Sequence, residues 1–457
     1  MGNRKNFTHQ VKVGEVKNQT YGGIMIHDNL DKFKVKKSKN LSVTSHAGLS
    51  VIGSFMKSLG IFKVIEVGLG HLKRRMRGYR VYEKIFYLMG MIISGGDRLR
   101  HIRIIESDSG LLRLFDRKDI PRPNTMGEFL RQFKRRDINV IRGISNGLVK
   151  KAIKRKRLRH ITIDIDSTVI ESEKESAEYR YKKVKGFNPL LGIIKELDMV
   201  ISGVFRPGNA SPSANNLSLL RGIYNKVKGL GVRRIYFRSD SAAYQYRIMR
   251  FCDLRGILFG IGADMDKAVR RGIRWIPSDR WEYFSEGEEI AETQHFIGPD
   301  QKGDAYRLIV KRRKVRDPVL FEEFKYSYYA IITNIYNWDK SAVMRWYQRR
   351  GDAENTIKEL KGDYALNSIP TGELLANSAF FQIILLAFNL MRLFALTVLP
   401  YRWSIYRLKT LRFTLINIGG SVIKHGREII LNLPNNYPYY ELFQRTRWRA
   451  LNAYVYV

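Results

Sequence analysis

The chain has 457 residues, of which 44% are hydrophobic, and its 81 Lys and Arg exceed its 43 Asp and Glu to give a net charge of +38. That apolar share excludes a wholly disordered chain, and the length allows roughly three domains of about 150 residues. So large a positive charge makes a folded chain repel itself unless a polyanion neutralises it, and nucleic acid is the commonest such partner. An anionic membrane surface and mere solubility are the alternative explanations.

The cysteine count and the first residues bear on the cellular compartment. Cys252 is the only cysteine, which excludes an intramolecular disulfide and a zinc cluster built on cysteines. Residues 1–20 lack the apolar segment of a signal peptide. We therefore expect a cytoplasmic protein.

The first third of the chain divides into an arm and a helical region. Residues 1–44 alternate between apolar and turn residues, which predicts short strands, whereas residues 45–160 carry apolar clusters three and four apart, which predicts helices. Three basic runs lie in the helical region: Lys73, Arg74 and Arg75; Lys134, Arg135 and Arg136; and Arg155, Lys156 and Arg157. One such run is usually a solvated helix face, but three in one region predict a DNA-binding region that contacts phosphates, with a helix-turn-helix as one form of it.

From Ile161 the pattern changes to strict alternation. The stretch "ITIDIDSTVI" predicts a half-buried strand whose polar face carries Asp164 and Asp166. Further elements are predicted in this order: strands at 190–194 and 199–205, a helix at 217–231, a strand at 233–240 that ends at Asp240, and a strand at 257–263. Residues 161–263 are therefore interpreted as the first part of an α/β core.

The remaining chain is predicted to interrupt, complete and cover this core. Residues 264–326 have strand and turn signals without a helical period, which indicates an insertion. Residues 327–400 resume the core with the strand "YYAIITN", and residues 401–457 form a C-terminal region. The apolar segment 374–399 is long enough to span a bilayer, but five polar residues interrupt it, so we expect a buried core helix.

The helix after that strand carries polar residues where an apolar face is usual. Tyr347, Arg350, Glu354, Ile357 and Lys361 follow a helical spacing, and three of them are charged. Arg350 and Lys361 would hold phosphates, and Tyr347 would donate to a phosphate or stack on a base. The alternative is an exposed helix with i,i+4 ion pairs, each worth a few tenths of a kcal/mol.

Three acids are placed where folding can bring them together. Asp166 lies on the first core strand, Asp240 ends a later one, and Glu354 lies on a helix that packs on the sheet. Such a group of carboxylates would suit two Mg²⁺ ions that act on an in-line phosphoryl displacement.

These motifs resemble a known group of proteins. The spacing Tyr347-x₂-Arg350-x₃-Glu354-x₆-Lys361 matches the Y-R-E-K signature of bacterial insertion-sequence transposases with an RNase H-like DDE core. "DST" at Asp166 and "RSDSAAY" around Asp240 resemble that group's first two acid motifs. The stretches "KGFNPLLG", "RPGNAS" and "RGDAENTIKELK" resemble, more locally, the insertion-sequence family numbered thirteen-eighty. The resemblance covers roughly residues 41–433.

The resemblance implies a fold: a mixed-sheet α/β core of RNase H type, interrupted before Glu354 by a β-rich insertion. A helical DNA-binding region would precede this core, and a C-terminal helical cap would follow it. It also implies that Asp166, Asp240 and Glu354 bind two Mg²⁺, with Mn²⁺ as a possible substitute. Asp164 lies on the same strand face as Asp166, so either is a candidate first ligand, although the Asp-Ser-Thr motif favours Asp166.

The function implied is cut-and-paste transposition. Water attacks at the transposon end, and the freed 3′-OH then attacks target DNA. The partners implied are double-stranded DNA of the terminal inverted repeats and of the target, with a homodimer assembled on DNA in the bacterial nucleoid. Two alternatives remain open: an RNase H-fold nuclease without strand transfer, and a non-catalytic DNA-binding regulator.

Overall fold

A computed structural model describes residues 42–73, 78–179, 184–297, 304–315 and 326–456. Residues 42–457 form a unit of their own, and the description concerns that unit. The arm predicted at residues 1–44 therefore lies almost wholly outside the described residues.

The region after Ser45 is helical, as its apolar spacing predicts. After the short strand β1 (Val43–Thr44) it contains α1 (Gly48–Ser58), α2 (Ile61–Leu69), α3 (Val81–Ile93), α4 (Ile102–Glu106), α5 (Ser109–Leu114), α6 (Pro123–Arg131) and α7 (Arg135–Arg155). At 21 residues, α7 is roughly 31 Å long. Its apolar face packs on the long helix α13 (Leu374–Thr397), which joins the helical region to the sheet.

The central region alternates strands and helices. It contains β2 (His160–Ser167), β3 (Ile170–Glu171), β4 (Glu178–Tyr179), β5 (Lys185–Phe187), β6 (Leu190–Ile194), β7 (Met199–Val204), α8 (Asn216–Val227), β8 (Arg234–Ser239), α9 (Tyr246–Leu254) and β9 (Ile257–Gly262). The strands predicted from alternation and the helix predicted before Asp240 are confirmed.

The last part of the chain mixes helices with two groups of strands. It contains α10 (Lys267–Arg274), β10 (Glu282–Ser285), β11 (Glu288–Ile297), β12 (Asp304–Lys314), β13 (Tyr326–Thr333), α11 (Lys340–Gln348), α12 (Gly351–Asp363), α13, α14 (Tyr401–Ser404), α15 (Leu408–Leu411), β14 (Gly420–His425), β15 (Glu428–Asn432), α16 (Tyr440–Leu451) and α17 (Ala453–Tyr456).

Among the described residues, nine strands form one mixed sheet in the order β10-β11-β12-β13-β9-β8-β2-β6-β7. Strands β2, β8 and β9 are parallel to one another, whereas β6, β7 and β10–β13 join by antiparallel pairing. The carboxyl ends of β2, β8 and β9 therefore lie at the same edge of the sheet.

Helices cover both faces of the sheet, and two glycines allow them to approach. A Cβ at Gly192 would lie 2.4 Å from Ile223 of α8, and one at Gly203 would lie 2.6 Å from Leu385 of α13. Because Gly192 is paired with the residue before Gly203, the two glycines face opposite sides. The sheet is therefore a buried central layer.

The long apolar helix α13 is a core helix, as predicted. Among the described residues, it is the one single helix that is long and apolar enough to cross a membrane. However, 89% of its most apolar 18-residue stretch is buried inside the protein. Its polar residues bind the edge strand β7: Asn389 accepts from Val200 N at 3.0 Å and donates to Val200 O at 2.7 Å, and Gln382 donates to Gly203 O at 2.9 Å. These side chains satisfy backbone groups that an edge strand leaves unpaired.

Two predictions about elements are wrong. Residues 264–326 contain the helix α10, whose start is capped by Asp266 accepting from Val269 N at 2.9 Å. This helix was missed because its buried face consists of only Val269 and Ile273. The C-terminal region is not a purely helical cap, because β14 and β15 form a hairpin that pairs with β1. Gly426, with φ of +59°, makes the turn of that hairpin.

Candidate active site

The first two acids lie at the ends of neighbouring parallel strands. The last registered pair of β2 and β8 is Ile165 with Ser239, so Asp166 and Asp240 are the next residues on their strands. Both residues lie at the edge of the sheet where β8 ends. The strand register thus brings together two acids that are 74 residues apart in the chain.

Asp166 is largely buried among charged neighbours. One carboxylate oxygen accepts from Ser167 N at 2.8 Å, and the other lies 3.3 Å from Nη1 of Arg350. Burial raises the pKa of Asp166, Arg350 opposes this rise, and Asp240 and Glu354 add to it, so that the pKa is about 6. Like charges therefore crowd this carboxylate, and one guanidinium partly neutralises it.

Asp240 is held by the turn that follows its strand. Its Oδ1 accepts from the backbone N of Ala242 at 3.1 Å, which caps the short turn Ser241–Ala243. This contact fixes the direction of the carboxylate without a neighbouring side chain.

The helix predicted through the Y-R-E-K spacing consists of two helices. Helix α11 ends at Gln348 and α12 begins at Gly351, and Arg350 N bonds to Tyr347 O at 2.8 Å, a contact of the tighter 3₁₀ type. Tyr347 therefore belongs to a different helix from Glu354. The expectation of one continuous ridge is wrong.

Arg350 links the acid on the sheet with the acid on the helix. Its guanidinium lies 3.3 Å from Asp166 and 3.8 Å from Glu354, four residues further along. The Glu354 side chain is half exposed, whereas Arg350 is mostly buried. The structure thus brings Asp166, Asp240, Arg350 and Glu354 into one electrostatic group.

The donor chemistry of this group suits a hard divalent cation, because all three acids offer carboxylate oxygens. Among the described residues, however, no three Asp, Glu, His or Cys side chains stand close enough together to hold one metal ion. The place beside Asp166 and Glu354 is taken by the Arg350 guanidinium. The residues fit such an ion in chemistry, and Arg350 is the group with which it would compete.

Tyr347 lies inside the protein and not on its surface. It is 2% exposed, its hydroxyl donates to Ser239 O at 3.2 Å and accepts from Tyr329 at 2.9 Å. A Cβ at Gly262 would lie 3.0 Å from this hydroxyl, so that glycine of β9 makes room for it. Tyr347 supports the end of β8, and this arrangement does not present it to a phosphate or a base.

Lys361 contacts the chain that follows the first acid motif. Its ammonium donates to Val169 O at 2.8 Å, and burial lowers its pKa. The structure places Lys361 and Arg350 on the same side of α12 as the end of β2. Binding of DNA by either residue stays a prediction.

Asp164 is not part of this group, because it forms a buried ion pair. Arg238 donates to its two oxygens, each at 2.7 Å, and Asp164 is 0% and Arg238 2% exposed. Arg238 also donates to Trp346 O at 2.6 Å, one residue before Tyr347. One network therefore connects both acid-bearing strands to the helix that leads to Arg350.

Arg238 is the residue that the sequence analysis missed. It lies two residues before Asp240, as Asp164 lies two residues before Asp166. Because side chains two residues apart lie on the same face of a strand, this equal spacing could have predicted that Arg238 faces Asp164. Two other acids of α12 form ion pairs outside this group. Glu359 pairs with Arg392 at 2.5 Å, and Asp352 pairs with Lys195 at 3.3 Å.

Two of the basic runs lie at opposite ends of α7. Lys134, Arg135 and Arg136 are exposed at its start, and Arg155, Lys156 and Arg157 are exposed at its end. Lys73 is partly exposed after α2, whereas Arg74 and Arg75 lie outside the described residues. Contact of these residues with DNA stays a prediction.

The protein has an α/β fold with two carboxylates at adjacent strand ends, and a helix with a third carboxylate and an arginine faces them. Acidic sites of this kind are used in phosphoryl transfer. The model of the family described as transposase DDE domain group 1 matches residues 33–452, and the chain belongs to that family. It is a DDE transposase, an enzyme that cleaves DNA and transfers its strands.

The similarity to other proteins is distant. A cryo-EM structure of the piggyBac transposase synaptic complex with hairpin DNA is 11% identical, with a TM-score of 0.39, and the match covers 75% of each chain. No curated protein matches the chain.

Proposed function

We propose that this transposase moves an insertion sequence by a cut-and-paste reaction, with Asp166, Asp240 and Glu354 as its catalytic acids. The observation that carries the proposal is the meeting of Asp166 and Asp240 at neighbouring strand ends, with Arg350 in contact with Asp166 and Glu354. The Y-R-E-K group and the insertion-sequence family numbered thirteen-eighty are part of this proposal.

The core is proposed to be of the RNase H type. The order β7-β6-β2-β8-β9, with β6 and β7 antiparallel and β8 and β9 parallel to β2, supports this assignment. Residues 264–326 would then be the insertion between the second and third acids. Its strands β10–β12 continue the same sheet through β13.

Asp166, Asp240 and Glu354 would hold two Mg²⁺, which supply Lewis acidity and an activated water when bound. The chain's own residues have distinct tasks. Arg350 partly offsets the charge of Asp166 and Glu354 in the free protein, and it would then contact a DNA phosphate. The Asp164–Arg238 pair holds the strand ends and α11 in register.

The DNA substrate is proposed to be the terminal inverted repeats and the target duplex, bound by a homodimer that assembles on DNA. The exposed basic residues at both ends of α7 would contact backbone phosphates. The net charge of +38 supports a polyanionic partner.

The test is a cleavage and joining assay on duplex DNA that carries the terminal repeats flanking the coding region. We expect Mg²⁺-dependent cuts at the transposon ends, followed by joining of the 3′ ends to a target plasmid. Cleavage without joining would indicate the nuclease, and binding without cleavage would indicate the regulator.

A further inference from the structure

Several donors lie along one face of α7, away from the acids. Arg142, Asn146 and Lys150 are spaced by four residues, so they form a row over two helical turns. Lys226 lies on the last turn of α8, and it is near this row because α7 and α8 both pack against β7. Lys226 donates to Ser202 of the edge strand β7 at 3.0 Å. Two helices and a strand thus bring donors to one region beside β7, and the space between α7 and α8 there is called the groove.

The cations of this groove have no acid to pair with. Among the described residues, no carboxylate lies within ion-pair distance of Arg142, Lys150 or Lys226. Burial, together with repulsion from Arg142 and Lys150, lowers the pKa of Lys226 to about 8. Burial also lowers the pKa of Arg142. Partly buried like charges are unfavourable, so an anion between them would stabilise this region.

One buried donor of the groove lacks a hydrogen-bond partner. The Nε of Arg142 is buried and unpartnered, while its Nη1 is held by Asn139 at 2.8 Å. Asn146 is 8% exposed and lies one turn further along the same face of α7. Buried polar groups are nearly always satisfied, so the Nε of Arg142 points to a ligand that is an acceptor.

We propose that Arg142, Asn146, Lys150 and Lys226 form a binding site for a phosphate group, and that its occupant is a backbone phosphate of duplex DNA. The site lies on α7 between the two basic runs at its ends, which are roughly 31 Å apart by helical rise, about one turn of B-DNA. The choice of DNA rests on the proposed function, whereas the phosphate chemistry does not.

The phosphate part is tested by amine acylation of the unmodified full-length protein, read residue by residue by mass spectrometry. Lys226 is compared with Lys228, an exposed lysine at the end of the same helix. We expect inorganic phosphate, at an ionic strength matched with chloride, to slow acylation of Lys226 by about fivefold or more and to leave Lys228 unchanged. Equal effects on both lysines would overturn the site.

The DNA part is tested with duplex DNA in the same labelling reaction. Protection of Lys226 by DNA as well as by phosphate supports the proposal, and protection by phosphate alone overturns DNA as the occupant. If the protein fails to bind DNA at all, the proposed function fails, while the phosphate result still decides the site.

A matched pair of variants supplies a second measurement. Lys150→Gln removes a cation of the site, and Lys151→Gln removes its exposed neighbour on the same helix, rotated by about 100°. We expect Lys150→Gln to abolish most of the phosphate protection of Lys226 and to reduce the log–log salt slope of DNA binding by about 0.9. Lys151→Gln should leave the protection intact. Loss of protection in both variants, or in neither, would contradict the site.

Discussion

The end of β2 and the groove between α7 and α8 both contain buried charge, but they neutralise it differently. At the strand end each acid has a guanidinium within the chain: Asp164 pairs with Arg238, and Asp166 with Arg350. In the groove, Arg142 and Lys226 have no such partner among the described residues. The buried acids of the first region meet cations within the chain, whereas the cations of the second meet no carboxylate among the described residues.

This difference shows where the net charge of the protein acts. At the candidate active site, Arg350 and Arg238 are paired with carboxylates. Exposed cations are grouped at both ends of α7. A polyanion would therefore be attracted to the helical region. The acids would meet only the segment of DNA that Arg350 contacts.

The largest expected effect concerns the three proposed catalytic acids. Asp166→Asn, Asp240→Asn and Glu354→Gln should each lower strand cleavage by about 10³-fold or more, because several kcal/mol of transition-state stabilisation are lost. Binding to transposon ends should be nearly unchanged. A gel-based cleavage assay measures the first effect and a filter-binding titration the second.

The control for Glu354→Gln is Asp352→Asn, which changes an acid two residues earlier on the same helix that pairs with Lys195. It should cleave at nearly the wild-type rate. An acid variant that cuts as fast as the wild type would show that this acid has no catalytic role.

The next largest effect is expected from substitutions that break the buried ion pair between Asp164 and Arg238. Asp164→Leu or Arg238→Met alone should lower the free energy of unfolding by about 3–5 kcal/mol, because each leaves a buried charge without a partner. The double variant should recover much of this loss. Urea unfolding measures all three variants.

An exposed pair provides the comparison. Arg131 and Glu373 are about half exposed, so Glu373→Gln should cost at most about 1 kcal/mol. A similar cost for the buried and the exposed pair would contradict the role of Arg238 as the link between the two strands.

The third effect is a gain in the free energy of unfolding, whereas the variants of the buried pair lower it, and this gain depends on pH. The pKa of Asp166 is about 6 in the folded protein against an ordinary 3.8. Between these pH values the folded protein retains a proton that the unfolded chain releases, so this group's contribution falls as pH rises through that window. Above pH 6 the loss is constant, at about 3 kcal/mol or less.

Asp166→Asn should therefore stabilise the metal-free protein at pH 7 and make little difference at pH 4. Unfolding free energies in a chelator at the two pH values measure this. A stability gain of the same size at both would exclude the ionised carboxylate as its cause.

A smaller effect concerns phosphate contacts of the signature helix. Arg350→Ala and Lys361→Ala should each reduce the log–log salt slope of DNA binding by about one unit. Lys358→Ala, an exposed lysine on the same helix, is the control. Unchanged slopes would leave Arg350 and Lys361 with only the contacts they make to Asp166, Glu354 and Val169.

The smallest effect separates a structural from a DNA-binding tyrosine. Tyr347→Phe removes a buried hydroxyl that bonds Ser239 O and Tyr329, and should cost about 1 kcal/mol of stability. Its DNA affinity should be unchanged, as for Tyr283→Phe, which alters an exposed ring. A marked loss of DNA affinity in Tyr347→Phe would restore the sequence-based expectation.

The local elements were predictable where their period is long and regular. The alternation in "ITIDIDSTVI" predicts β2, and the apolar spacing after Ser45 predicts the helical region. Short or mixed patterns failed: α10 has only two buried apolar residues, and the hairpin β14–β15 was hidden in a region read as helical. The break between α11 and α12 was also missed, because the spacing of charged residues continues across it.

The sequence by itself determined that the protein is cationic, that it has an α/β core, and that three acids stand at the ends or faces of its elements. Only the tertiary structure decided that Asp164 is neutralised by Arg238 and that Asp166 meets Arg350. Asp164 and Asp166 are two residues apart on the same strand face, so no local pattern separates them. The pairing of β2 with β8 and the packing of α11 and α12 separate them, because these set which cation each carboxylate meets.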